Sequence, residues 1–92
     1  MRVDTVYLLK AGDAYKIGYT SGDVAKRVKS LQTGCSARIE ILGTMSGSVE
    51  VERALHAKYK AYRVEGEWFK LSPIAVGEIL DRMQRAMPVV FR

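Results

Sequence analysis

The chain has 92 residues, 48% hydrophobic and 27% charged, a balance that fits one small α/β domain and excludes both a disordered tract and a second module. Fifteen Lys and Arg against ten Asp and Glu give a net charge of +5, which favours a polyanionic partner without separating nucleic acid from an acidic protein or a membrane surface. A single cysteine, Cys35, and a single histidine, His56, exclude an internal disulfide and a four-ligand Cys/His zinc site.

The first predicted element is a β-hairpin over residues 6–20, two β-rich runs joined by Gly12-Asp13, a dipeptide suited to a two-residue turn. That loop pairs Ala11 with Ala14, and counting back places Leu8 opposite Ile17 and Tyr7 opposite Gly18. Alternation then sorts Val6, Leu8, Ile17 and Tyr19 onto one apolar face, and Tyr7, Leu9, Lys16 and Thr20 onto the other. Gly18 leaves a gap opposite Tyr7, edged by a phenol, an ammonium and a hydroxyl. Such a gap admits a ligand or close backbone, or marks a bulge where Tyr7 packs under a helix.

Asp23 offers an N-cap for a helix from Val24 to Thr33, closed by Gly34. Val24, Val28 and Leu31 form its buried stripe; Lys26 and Lys29 point away, and Arg27 lies on the stripe's edge, as a snorkelling or ion-paired side chain would. Residues 37–44 alternate as a third strand, with Ile39 and Ile41 on one side, ended by Ser46-Gly47-Ser48. A second helix runs from Val49 to about Tyr62 with an apolar arc of Val51, Leu55, Tyr59 and Tyr62. Glu52, His56 and Tyr59 make a file on its flank. At a buried margin, Glu52 either pairs with Arg53, Lys60 or Arg27, or looks into a polar cleft and can hold a cation. His56 reads as a hydrogen-bonded boundary residue as readily as a catalyst.

Residues 63–66 form a turn and 67–71 a short aromatic strand or extended segment, with Trp68 a core plug rather than a base-stacking platform. Ser72-Pro73 starts a last helix, about 73–87, whose buried face is Val76, Ile79, Leu80, Met83 and Met87; Arg82 and Arg85 lie opposite. Pro88 ends it, and residues 89–92 make a tail. No apolar run approaches the roughly 20 residues of a membrane span and no apolar leader follows Met1, so a cytoplasmic or otherwise intracellular setting without a membrane partner is expected.

Thr5-Val6-Tyr7, Lys16-Ile17-Gly18, Arg27 and Glu52 occur in the order of the motifs of the GIY-YIG nuclease superfamily, which the chain resembles over about residues 3–71. The pieces Lys16-Ile17-Gly18-x-Thr20, Glu52-x-x-Leu55-His56 and Gly66-Glu67-Trp68-Phe69 resemble most closely its phage and fungal branch, which includes the meiotically up-regulated-gene type. Thr5 stands where the first motif has glycine and Lys16 where the second has tyrosine, and the chain contains no asparagine.

The resemblance implies an α+β fold, a three-stranded antiparallel sheet flanked by about three helices, in a single domain over residues 1–92. It further implies divalent-metal-dependent phosphodiester hydrolysis in nucleic acid, DNA in preference to RNA. Carried over, Tyr7 orients or deprotonates the attacking water, Lys16 takes the second tyrosine's place, Arg27 stabilises charge on the scissile phosphate, and Glu52 holds Mg2+, with Mn2+ as substitute. His56 is a rival base or leaving-group acid. Lys10, Tyr19, Lys26, Lys29, Lys58 and Lys60 are candidate nucleic-acid contacts. The alternative from the same fold is a catalytically inactive nucleic-acid-binding or protein-interaction module.

Overall fold

A computed structural model describes residues 4–86; the expectations for Met87, Pro88 and the tail 89–92 lie outside the described residues. Strands β1 (Thr5–Ala11) and β2 (Ala14–Thr20) form the hairpin, turned by Gly12 in the left-handed region at φ 63°, where an L side chain would be strained. Its register follows from the turn: Ala11 pairs with Ala14, Leu8 with Ile17, and Tyr7 with Gly18.

Helix α1 (Val24–Thr33) starts where the Asp23 side chain accepts from the Ala25 backbone N–H at 2.8 Å, satisfying one of the donors left free at a helix start. Gly34 closes it at φ −99°, outside the left-handed conformation that a C′ glycine commonly takes. Strand β3 (Ile39–Ser46) pairs antiparallel with β1 on the side away from β2. A register shift between Leu8 and Leu9, opposite Gly43 and Ile41, inserts Leu42 as the extra residue of a bulge. Ile39 is buried, whereas Ile41 is 45% exposed.

Helix α2 (Val49–Lys58) is shorter than its pattern implies. A single 3-10 turn, Lys60–Tyr62, follows it, and Tyr62, expected on the buried arc, is 54% exposed. Tyr59 is buried, as its place on the apolar arc implies, and its hydroxyl donates to Glu78 Oε1 at 3.0 Å rather than joining Glu52 and His56. Burial and that carboxylate push the Tyr59 phenol above its ordinary value. Helix α3 (Pro73–Ala86) buries Ala75, Ile79 and Met83, and Ser72 Oγ accepts from the Ala75 N–H at 3.1 Å.

The sheet corrects the three-stranded expectation: it has five strands in the order β3-β1-β2-β5-β4, all neighbours antiparallel. The two additional strands are β4 (Arg63–Glu65) and β5 (Trp68–Phe69). Gly66, at φ 55°, folds β4 back on β5, and β5 joins β2 through Tyr15–Phe69 and Lys16–Trp68 pairs. The physical demand is the open edge of β2, whose N–H and C=O groups need partners.

The sheet has two cores. On one face Val6, Leu8, Ile17, Met45 and Phe69 pack with Leu55 and Tyr59 of α2 and Ile79 and Met83 of α3. On the other, Tyr7, Leu9, Ala11 and Ile39 pack under Val24, Val28 and Leu31 of α1. Among the described residues, no helix is long and apolar enough to cross a membrane.

Candidate active site

The pairing of Tyr7 with Gly18 sets the geometry of the site. A Cβ built on Gly18 would stand 2.5 Å from Tyr7 Cε1 and Oη, so the ring lies across the glycine in space that any side chain would fill. Tyr7 is fully buried, and among the described residues its hydroxyl is the buried side-chain polar atom without a hydrogen-bond partner. Arg27, exposed on α1, is the neighbour: the Tyr7 hydroxyl beside it, and then Glu67, hold the guanidinium above its already high range. The hydroxyl makes no hydrogen bond of full geometry, and Arg27 is the group placed beside it to supply one, so the phenol is held dry with its partner at the margin of reach.

Lys16, two residues before Gly18 on the same face, is 6% exposed. Its Nζ sits 2.9 Å from Glu67 Oε1 and 5.6 Å from the centroid of Trp68. The pairing of β5 with β2 accounts for this, because Ile17 N–H donates to the Glu67 carbonyl at 3.3 Å and so places Glu67 against the edge of β2.

From the other side, α2 brings Glu52 and His56 to this edge. His56 Nε2 donates to the Ile17 carbonyl at 2.7 Å, and its ring meets Phe69 edge-on at 5.0 Å. An N–H on Nε2 follows from the carbonyl being an acceptor only, which leaves Nδ1 for proton exchange. The histidine thus fastens α2 to β2 where β5 has stopped.

Burial raises the Glu52 carboxyl above its ordinary value, the nearby Glu67 carboxylate raises it further, and His56 and Lys16 oppose the rise. Glu52 has none of the expected ion pairs with Arg53, Lys60 or Arg27 among the described residues. It looks toward a polar cluster instead. A raised folded-state pKa favours folding at low pH and is unfavourable once the carboxylate ionises. Glu52→Gln is therefore expected to raise the urea midpoint at pH 7 and to leave it unchanged below the ordinary carboxyl value near 4.5. A midpoint difference that is largest in acid would contradict this sign.

Lys16, Glu52 and His56 thus gather at the edge of β2, Tyr7 and Arg27 lie together on the α1 side of the sheet, and the residue that links the two groups is Glu67. It pairs with Lys16 and acts electrostatically on both Arg27 and Glu52. Reading the residues one by one missed it; the signal was the Gly66-Glu67-Trp68-Phe69 stretch. The other candidates are dispersed. Lys26 and Lys29 are exposed on α1 beside Arg27, Lys10 shares the face of Val6 and Leu8 by alternation, and Lys58 and Lys60 lie more than a turn of helix beyond Glu52. Tyr19 packs against the first core.

Among the described residues, no three His, Cys, Asp or Glu side chains assemble around a common point, which does not suit a closed protein cage.

The T5orf172 domain profile matches residues 4–84. The chain belongs to that family. No curated protein and no solved structure matches it. The T5orf172 domain match spans the hairpin, α1, α2, most of α3 and Glu67, so every residue of the polar cluster lies inside it.

Proposed function

We propose that this T5orf172 domain is a GIY-YIG-like endonuclease or nickase that hydrolyses phosphodiester bonds in DNA with a divalent metal. The observation that supports it is that Glu67, ion-paired to Lys16, acts both on the Arg27 guanidinium beside the Tyr7 phenol and on the Glu52 carboxyl, side chains carried by separate elements. Hydrolysis forms a bond from water oxygen to phosphorus and breaks one ester P–O bond, and negative charge grows on the phosphoryl oxygens meanwhile. Arg27, planar and always charged, answers that charge with paired N–H donors. As Arg27 turns to the phosphate, the Tyr7 hydroxyl beside it is released to hydrogen-bond the attacking water. Lys16 keeps Glu67 in place and holds positive charge beside the phenol. Glu52, with Glu67 next to it, would hold Mg2+, which supplies Lewis-acid stabilisation of the phosphate when bound. His56 positions Glu52 through the Ile17 carbonyl.

A second reading is favoured by one observation, the complete burial of Tyr7: a domain of this fold that binds nucleic acid, or a protein, and cuts nothing. It predicts salt-sensitive DNA retention, independent of metal and without strand breaks. Plasmid nicking in Mg2+ separates the two. The wild-type protein is expected to nick, and Glu52→Ala and Arg27→Ala each to lower the rate by about 100-fold or more. Equal rates in all three would expose a contaminant and defeat the assignment.

A further inference from the structure

A second recess lies on the same face of the sheet as Tyr7 and Lys16. Its volume is about 260 Å³ and its lining is mostly apolar: Ala11 and Ala14 from the hairpin end, Cys35 and Ala37 from the loop after α1, and Val64 and Trp68 from β4 and β5. The loop wall is built rather than slack. Gln32 Nε2 donates to the Cys35 carbonyl at 3.2 Å and to the Ala37 carbonyl at 2.9 Å, while its Oε1 accepts from the Ile39 N–H at 2.8 Å. One side chain thus spends its whole amide on fixing that wall.

The recess is joined to the polar cluster by Trp68, which packs against the second core as a plug would yet is only half-buried, so that it also lines the recess and carries Lys16 Nζ at 5.6 Å. Along β2, Ala14 and Gly18 share a face and stand about 13 Å apart at the strand's ordinary rise, so a strand held at Gly18 reaches the recess with a neighbouring nucleotide. The small side chains of Ala11, Ala14, Cys35 and Ala37 leave room for a flat group beside the indole. The charged residue in the lining is Glu65, whose carboxylate oxygens accept hydrogen bonds; it suits an exocyclic amino group of the kind cytosine carries.

From these features we infer that the recess receives one unstacked nucleobase of the bound strand, which makes the preferred substrate single-stranded or locally unpaired nucleic acid. Stacking on an aromatic side chain suits any base because each has a π-face, and the +5 chain supplies the attraction for the backbone. The inference rests on the nucleic-acid reading above and adds to it the state of the substrate.

Trp68 is the single tryptophan of the chain, so its emission reports the recess directly. The probes are a short oligo-dC strand and the same backbone with abasic sites, titrated without metal at low salt. Oligo-dC is expected to quench Trp68 and to bind about 10-fold more tightly than the abasic strand, the lower part of the range for one stacked base. Ala37→Leu, which fills the recess, is expected to abolish the quench and weaken oligo-dC about 10-fold, leaving the abasic affinity unchanged. Ala14→Leu fills it from the sheet side and repeats the test should the first variant fold poorly. Equal quenching by both strands, or wild-type oligo-dC binding in both folded variants, overturns the base recess while leaving nucleic-acid binding intact. Binding of neither strand overturns the nucleic-acid reading itself and this inference with it.

Discussion

Gly18→Ala is expected to destabilise the protein by about 3 kcal/mol, at the upper end of the range for overpacking a buried site. The added methyl would stand 2.5 Å from Tyr7 Cε1 and Oη, and Tyr7 is fully buried beneath α1. A ring in that position cannot rotate away without displacing Val24 or Val28. In a domain of this size the loss corresponds to more than about 10 °C in Tm. The cause is steric, so it should vanish when the ring is gone: Gly18→Ala introduced into Tyr7→Leu is expected to cost under about 1 kcal/mol, a coupling read from a double-mutant cycle. Urea denaturation of the four proteins measures it. An additive pair would show that Gly18 serves backbone conformation rather than clearance for Tyr7.

Tyr7→Phe is expected to separate stability from activity. The substitution deletes a buried hydroxyl that makes no hydrogen bond of full geometry and stands beside the solvent-exposed Arg27, and removing such a group relieves a desolvation cost, so the folded state should gain up to about 1 kcal/mol. The same oxygen is the one assigned to the attacking water, and plasmid nicking should fall by about 100-fold or more. A protein that is firmer and idle is the signature of a polar atom kept dry for a reaction. Loss of stability in Tyr7→Phe would mean that the hydroxyl is satisfied in solution. Undiminished nicking would remove Tyr7 from the chemistry and leave Arg27 and the carboxylates to be explained without it.

The local elements were legible because short-range chemistry decides them. Gly12-Asp13 fixes a two-residue turn, and from that turn alone the pairing of Tyr7 with Gly18 follows residue by residue. Asp23 and Ser72 mark the starts of α1 and α3 through hydrogen bonds spanning two or three residues. The strands β4 and β5 were not legible in the same way, since three and two residues are too few to show alternation. What makes them strands is the unfilled edge of β2, which belongs to another part of the chain. Helix α2 was read too long for a similar reason: the spacing of Tyr59 and Tyr62 continues the helical period, but their surroundings differ. Tyr59 is drawn inward by Glu78 of α3, and Tyr62 is left outside.

The candidate site divides along the same line. Tyr7, Lys16, Arg27 and Glu52 stand out as residue types in a recognisable order, and the face on which Tyr7 and Lys16 lie is a consequence of strand alternation. Their relation to one another is not. Glu67 becomes the hub only because β5 aligns beside β2, and His56 becomes an anchor only because β5 ends before the Ile17 carbonyl is paired. Sequence alone thus determined which groups the chain carries and how each neighbouring stretch folds, because turns, caps and periodicity act over a few residues. Tertiary structure alone decided which charges meet and which hydroxyl stays dry, because burial and Coulomb interaction depend on distance through space rather than on separation along the chain.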